Sequence, residues 1–167
     1  YFYDFNSKVP YPPSRKDNNL LSIYGGKDDL HGNKADSLSD ESRNIFFKET
    51  LDESTVWGNN GLSLRWGRQW SPRFYTNVKI SGSNFFRDYD FKYNYQLDST
   101  NFNQTGNIEF VQENRVDDSN LSIDHELIIS KKITLEFGVS AMEYKIHYKT
   151  AANGTVGDER DEKGNIG

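Results

Sequence analysis

The sequence has no cysteine in its 167 residues, which excludes disulfide bonds and thiolate metal sites. It also has no long apolar run, because its longest apolar pieces hold only three or four residues, against the roughly 20 that a membrane-spanning helix needs. A Gly-x-Ser-x-Gly nucleophile turn, a phosphate-binding loop and a His-Glu-x-x-His zinc motif are all absent. We therefore expect no enzyme activity, no cofactor and no metal site. The net charge of −5 argues against nucleic acid as a partner.

Aromatic residues are abundant in a chain that is otherwise polar. Hydrophobic residues make up 34% and the mean hydropathy is −0.86, yet aromatics reach 14%, with 10 Tyr and 11 Phe. Disordered chains are polar but poor in aromatics, so this composition argues against disorder. It is typical of transmembrane β-strands, which present only every second side chain to lipid.

Apolar and polar residues alternate along much of the chain with the period of two that indicates β-strands. Residues 62–66, 74–80, 121–127 and 133–141 alternate in this way, and 1–6 and 21–23 begin less regular strands. No segment has the apolar spacing of a helix over a useful length. We predict about six strands, mostly of about 9–11 residues, which is the length that crosses a bilayer at a tilt.

The connections between these strands alternate in length. Short connections are predicted at 10–17, 70–73 and 130–132, and long ones at 27–60, at 87–119 and from about 150 onward. Outer-membrane barrels have short periplasmic turns and long extracellular loops. The sequence thus predicts an all-β fold: an antiparallel up-and-down transmembrane β-barrel segment, with about six strands of a larger barrel and both ends cut inside a longer protein. Within the second long connection, 85–97 and 108–116 are expected to pair beyond the bilayer.

The two sides of each predicted strand differ in chemistry, and this difference assigns them to lipid and lumen. An arginine or lysine that faced lipid near the midplane would cost about 2–4 kcal/mol, so we expect the charged rows to face a wet lumen. Lipid-facing positions are predicted at Leu62, Leu64, Trp66, Val78, Ile80, Ile123, Leu127, Leu135, Phe137 and Val139. Lumen-facing positions are predicted at Ser63, Arg65, Lys79, Asp124, Glu126 and Glu136. Arg68 and His125 fall in the apolar rows, and the sequence offers no reason for the histidine.

Aromatic residues cluster at the ends of the predicted strands. A girdle of rings at both membrane interfaces predicts this placement, whereas the core of a soluble sandwich predicts rings in strand middles. The girdle is therefore favoured. Its predicted members are Trp70, Phe74, Phe85, Phe86, Tyr89, Tyr144 and Tyr148.

Three segments together resemble the barrel of a TonB-dependent outer-membrane receptor. They are residues 24–30 at the mouth of one strand, residues 61–66 descending in the next, and the hairpin from 124–127 to 133–139. In that family such hairpins recur around a barrel of about 22 strands, in the size range of the large outer-membrane transporters. The resemblance spans nearly the whole chain through degenerate motifs.

This resemblance implies that residues 1–167 are a partial TonB-dependent receptor β-barrel domain, with the plug domain and the coupling box outside them. It implies active import of a scarce ligand, such as a ferric siderophore, a cobalamin, a glycan or a peptide. The implied location is the bacterial cell outer membrane. The implied partners are outer-membrane lipid, the small-molecule, glycan or peptide ligand, and the energy-coupling TonB complex, which other parts of the protein would contact.

Ligand contact is expected from aromatic and polar residues in the long extracellular connections. Tyrosine and tryptophan offer flat, amphipathic surface that suits sugars or aromatic chelates. The candidate ligand-binding residues are Trp57, Asn59, Asn60, Tyr89, Tyr93 and Tyr95. The alternative is that these residues cap a hairpin that protrudes above the membrane.

Two other functions remain open from the sequence. A soluble β-sandwich, such as a carbohydrate-binding module, also alternates apolar and polar residues. A plug-free outer-membrane porin or adhesin would share the barrel. The carboxylates Asp124, Glu126 and Glu136 are interpreted as a polar lumen wall, with ion pairs to Arg65 or Lys79, in preference to a general acid/base pair.

Overall fold

The computed structural model describes residues 1–153 and 155–166, and these form one antiparallel sheet. Its seven strands are β1 (Phe2–Tyr11), β2 (Asp17–Asp40), β3 (Ile45–Ser71), β4 (Phe74–Ser99), β5 (Phe102–Ser130), β6 (Ile133–Ala152) and β7 (Thr155–Ile166). The strands lie in the sheet in chain order, each paired with its sequence neighbours. The predicted all-β, up-and-down, antiparallel architecture is confirmed, with seven strands where about six were expected.

No helix long and apolar enough to cross a membrane occurs among the described residues.

The sheet is open rather than closed. Tertiary contacts join only consecutive strands, so β1 and β7 are free edges within the described part of the chain. Free edges leave a row of unpaired backbone N–H and C=O groups, which a membrane interior does not tolerate. The arrangement therefore requires further strands on both sides before it could sit in lipid.

The long connections predicted at 27–60 and 87–119 are wrong, because the chain there continues as β-hairpins. Strands β2 and β3 stay in register from Asp17 opposite Arg68 to Asp40 opposite Ile45. Strands β4 and β5 stay in register from Phe74 opposite Leu127 to Ser99 opposite Phe102. Strands β2 to β6 are accordingly 20 to 29 residues long, well beyond the predicted 9–11. The expected pairing of 85–97 with 108–116 is confirmed.

Tight turns close these long hairpins at their far ends. Between β2 and β3, the carboxylate of Asp40 accepts hydrogen bonds from the backbone N–H groups of Ser42 and Arg43, at 3.0 and 3.3 Å. Asn44 closes that turn with a φ of 50°, in the left-handed region that asparagine tolerates better than most residues. We call this end of the sheet the tip end. The opposite end, with the short connections 12–16, 72–73 and 131–132, is the turn end.

Among the described residues, no hydrophobic side chain is buried, and Thr76, 6% exposed, is the one buried polar side chain. A single-layer sheet gives each side chain neighbours only within its own face, so no core can form without a second layer. Large apolar side chains consequently stand exposed along the sheet.

Candidate functional site

The register places every second residue of each strand on one side of the sheet. Leu64 lies opposite Leu21 on one neighbour and Ile80 on the other, and Ile80 lies opposite Leu121. We call this side the Leu64 face. Arg65 lies opposite Leu20 and Lys79, on the other side, which we call the Arg65 face.

Near the turn end, the two predicted sets separate cleanly between these faces. All ten residues predicted to face lipid lie on the Leu64 face: Leu62, Leu64, Trp66, Val78, Ile80, Ile123, Leu127, Leu135, Phe137 and Val139. All six predicted to face the lumen lie on the Arg65 face: Ser63, Arg65, Lys79, Asp124, Glu126 and Glu136. The alternation seen within single strands is thus in phase across the four adjacent strands β3 to β6.

The apolar rows of the Leu64 face are uncovered. Leu64 is 52% exposed, Ile80 57% and Val139 71%. On β4 this band runs from Phe74 to Gly82, which is nine residues. That length lies within the range of about 9–11 residues that a tilted transmembrane strand uses.

A row of aromatic and polar side chains edges the band near the turn end. Trp70 Nε1 donates a hydrogen bond of 2.9 Å to the hydroxyl of Thr76, which also lies 3.0 Å from His125 Nδ1. The guanidinium of Arg68 lies 4.6 Å from the centre of the Trp70 ring and pairs with Asp17 at 3.3 Å. Rings that carry a polar atom, together with snorkelling cations, are the residues that populate a membrane–water interface.

The Arg65 face opens into a polar hollow at the same level, about 550 Å³ in volume. Arg65 and the carboxylates Asp124, Glu126 and Glu136 line it, and Glu126 lies directly opposite Glu136. The ion pairs expected from Arg65 or Lys79 to these carboxylates are wrong, since neither cation pairs with any residue in the described ranges. Charged and polar groups nevertheless line most of the hollow.

Beyond a boundary row, the two faces exchange polarity. The row consists of the register partners Ile23, Leu62, Gly82 and Ser119. Toward the tip end, the Leu64 face carries mostly polar residues, among them the charged Lys48, Asp52, Asp88, Asp90, Lys92, Glu109, Glu113, Arg115, Lys145 and Lys149. The Arg65 face there carries mostly aromatic and aliphatic residues: Phe47, Leu51, Trp57, Phe85, Tyr89, Phe91, Tyr93, Tyr95, Ile108, Phe110, Val116 and Tyr148.

Five of the six predicted ligand-contact residues lie on this aromatic part of the Arg65 face. They are Trp57, Asn59, Tyr89, Tyr93 and Tyr95. Asn60 lies on the opposite face, where its Oδ1 lies 2.5 Å from the position that a Cβ on Gly25 would occupy. The structure therefore does not bring Asn60 together with the other five.

The tyrosines of this surface are held by neighbouring acids and rings. Tyr93 donates a hydrogen bond of 2.8 Å to Glu49, and its ring centre lies 6.1 Å from that of Tyr95. The hydrogen bond with Glu49 raises the pKa of the Tyr93 phenol. Partial burial, followed by the hydrogen bond to Glu53, raises the pKa of Tyr89. Both phenols are therefore neutral hydrogen-bond donors at neutral pH.

Tyrosine rings on the Arg65 face lie over glycines of the next strand. Tyr24 lies opposite Gly61, and Tyr95 lies opposite Gly106, and in both pairs a Cβ on the glycine would overlap the ring. A ring that covers a glycine shields the backbone and restores side-chain packing that the glycine lacks. These pairs fix the tyrosines flat against the sheet.

Of the rings predicted to form a girdle, those at one end of the band lie on its face and most of those at the other end do not. Trp70 and Phe74 lie on the Leu64 face at the turn end, as a girdle requires. At the boundary row only Phe86 shares that face, whereas Phe85, Tyr89, Tyr144 and Tyr148 lie on the Arg65 face. Phe91 and Phe110 lie opposite each other beside Tyr89, and neither was among the predicted contact residues, although both fall in the segments that were expected to pair.

No family model and no curated protein matches the sequence. Among solved structures, the chain is similar to the ferric yersiniabactin uptake receptor FyuA of Yersinia pestis, with 10% identity and a TM-score of 0.30 over 99% of this chain and 33% of that one. It is also similar to BauA, the ferric preacinetobactin receptor of Acinetobacter baumannii, with 8% identity and a TM-score of 0.20 over 99% of this chain and 42% of that one. The chain thus spans less than half of either receptor.

Proposed function

We propose that this chain is part of the wall of a bacterial outer-membrane β-barrel that imports a scarce ligand in the manner of TonB-dependent receptors. The observation that carries the proposal is the exchange of polarity at the boundary row. Near the turn end the Leu64 face would meet hydrocarbon and the Arg65 face a wet interior. Toward the tip end the Leu64 face would meet external water, and the aromatic Arg65 face would line the mouth of the barrel.

Energetics favour this placement of the faces. Burying an exposed leucine or isoleucine is worth about 1.5–3 kcal/mol, and the Leu64 face carries many such side chains. Turning the sheet the other way would place Arg65 and Lys79 against lipid, at about 2–4 kcal/mol each near the midplane. Charged residues such as Lys92 and Asp90 then lie outside the bilayer at no such cost.

The aromatic surface at the barrel mouth would contact the ligand. Trp57, Tyr89, Tyr93 and Tyr95 offer rings whose neighbours are the carboxylates Glu49 and Glu53. Such a surface combines stacking with hydrogen-bond acceptors. Ferric siderophores, cobalamins, glycans and peptides are the candidate classes, and the energy-coupling complex would act through a plug and coupling box outside this chain.

A soluble β-sandwich would need a second sheet over the Leu64 face. The part of the chain that the structure describes forms a single sheet. A single sheet with an uncovered apolar face therefore favours the barrel wall over the sandwich, which would need another chain to cover that face.

Accumulation assays test the proposal. Cells that lack the protein would be supplied with radiolabelled ferric chelates, cobalamin, oligosaccharides and peptides. We expect loss of accumulation of one class, restored by the wild-type protein and dependent on the proton gradient. The triple variant Trp57→Ala, Tyr89→Ala, Tyr93→Ala should fail to restore it, while the control Asp52→Ala, Asp90→Ala, Lys92→Ala should restore it. Accumulation that never depends on the protein, or that persists without the gradient, would contradict import of this kind.

A further inference from the structure

All three connections at the turn end are basic. The side chains Arg15 and Lys16 lie between β1 and β2, Arg73 lies between β3 and β4, and Lys131 and Lys132 lie between β5 and β6. The connections 12–16, 72–73 and 131–132 contain no Asp or Glu. We call these five residues the cationic collar.

The collar side chains are exposed and unpaired. All five residues are exposed, and none forms an ion pair with a residue in the described ranges. In contrast, the nearby Arg68 is already paired with Asp17. The five collar charges are therefore available to a partner outside the sheet.

The collar lies directly against the apolar band. Arg73 immediately precedes Phe74, and Lys132 immediately precedes Ile133, which is 55% exposed. The interface row of Trp70, Thr76 and His125 lies on the same edge. If the band spans hydrocarbon, the collar occupies the depth of the lipid headgroups.

The other boundary of the band carries charges of both signs. On the Leu64 face beside the boundary row, Asp117 lies directly opposite Lys145, and Glu143 pairs with Lys163 at 2.8 Å. The two edges of one apolar band thus differ: the collar is basic and unpaired, whereas the acids at the boundary row face or pair with lysines.

We propose that the cationic collar binds anionic phospholipid headgroups in the leaflet at the turn end. This inference rests on the proposed membrane location. Unpaired lysines and arginines near an anionic leaflet are attracted to it, and the attraction decays within a Debye length of about 10 Å at 0.1 M salt. The interaction is therefore local, reversible and sensitive to salt.

Lipid competition around a reporter site tests the inference. The chain has no cysteine, so Leu135→Cys, close to Lys131 and Lys132 on the Leu64 face, can carry a bimane fluorophore. The full-length protein would be reconstituted in phosphatidylcholine containing increasing fractions of dibrominated phosphatidylglycerol or dibrominated phosphatidylcholine, since bromine quenches bimane on contact. We expect brominated phosphatidylglycerol to quench with an apparent affinity at least about threefold higher, and the preference to fall in 1 M salt.

Charge-neutralised variants identify the source of the preference. Replacing the five collar residues by glutamine should remove the preference. The matched control replaces five lysines on the Leu64 face beyond the boundary row, namely Lys27, Lys48, Lys92, Lys145 and Lys149, and should keep it. Equal quenching by both lipids, or equal loss in the control, would overturn the collar while leaving the barrel intact. Absence of quenching by either lipid would instead contradict the membrane location itself.

Discussion

The imidazole ring of His125 stacks on the ring of Phe74, with centroids 5.6 Å apart and ring planes 17° apart. Phe137, its register partner on β6, lies at a centroid distance of 5.1 Å. The hydroxyl of Thr76 satisfies Nδ1 from within the same face. Because rings cover its surface and one nitrogen has a polar partner, a histidine fits within an otherwise apolar row.

The hydroxyl of Thr76 should be the polar centre of this cluster. Thr76→Val removes the acceptor for Trp70 and the partner for His125, in a side chain that is 6% exposed. We expect the free energy of unfolding to fall by about 1–3 kcal/mol. Thr76→Ser keeps the hydroxyl and should lower the free energy of unfolding by clearly less. Denaturant titration of the protein in vesicles measures both, and a loss for Thr76→Ser as large as that for Thr76→Val would contradict the central role of the hydroxyl.

Charge should be tolerated on one face and not on the other. Leu64→Arg places a guanidinium in the middle of the apolar band, and we expect it to lower the free energy of unfolding in vesicles by about 2–4 kcal/mol. Ser63→Arg is the adjacent position on the Arg65 face and should change it by less than about 0.5 kcal/mol. The same titration in detergent and in lipid compares the two, and similar costs at both positions would refute the assignment of faces.

Glycines beneath tyrosine rings should not accept a side chain. Gly106→Ala places a methyl group where the Tyr95 ring lies, and we expect a loss of about 1–3 kcal/mol in the local stability of the β4–β5 hairpin. Gly32 is the matched control, because a Cβ there meets no atom closer than 4.0 Å. Gly32→Ala should be neutral or stabilising by up to about 1 kcal/mol. Amide hydrogen exchange of the two hairpins measures these effects, and a harmless Gly106→Ala would show that the ring is free to move.

The stability of the tip end should fall at high pH. The pKa of Tyr93 is raised in the folded state by its hydrogen bond with Glu49. A raised pKa contributes stability that is present below the ordinary tyrosine value near 10 and is lost as the pH rises through the folded value. We therefore expect no change between about pH 7 and 9 and a decline above about pH 10.

Glu49→Gln isolates the source of this dependence. The variant removes the carboxylate, so the pKa of Tyr93 should fall toward its usual value and the decline should become shallower. Tyrosinate absorbance at high pH, as a difference from Tyr93→Phe, follows that phenol alone. Glu41→Gln, in the turn at residues 41–44, is the control and should leave the titration unchanged.

Strand identity and side were predictable from the sequence near the turn end, where leucine, isoleucine and valine alternate strictly with polar residues. The length of the strands was not, because the alternation changes phase. On β4 the apolar positions are even up to Ile80 and odd from Phe85 onward, with Gly82 between them. A local pattern search interprets such a phase change, with glycine and asparagine beside it, as a loop.

The ligand-contact surface could be predicted only in part for the same reason. Tyr89, Tyr93 and Tyr95 share a parity that is visible in the sequence, whereas their neighbours across the sheet depend on the register. The partners Glu49 and Phe110 are far away in the chain and gain meaning only once the hairpins are aligned. The register between strands determines such contacts, and the alternation within a single strand does not specify which residues of the next strand lie opposite.

Single-cysteine accessibility in the native membrane tests most directly whether the Leu64 face changes from lipid to water at the boundary row. The chain has no cysteine of its own, so each introduced thiol reports alone within it. Cysteines at Leu64, Val78 and Leu135 should be protected from a small water-soluble maleimide, and those at Ser63, Lys79 and Glu136 should react. On the Leu64 face beyond the boundary, cysteines at Asp52 and Lys92 should react as well. Uniform reactivity along the Leu64 face, or protection at Ser63 and Lys79 with reaction at Leu64 and Val78, would contradict the membrane-wall assignment.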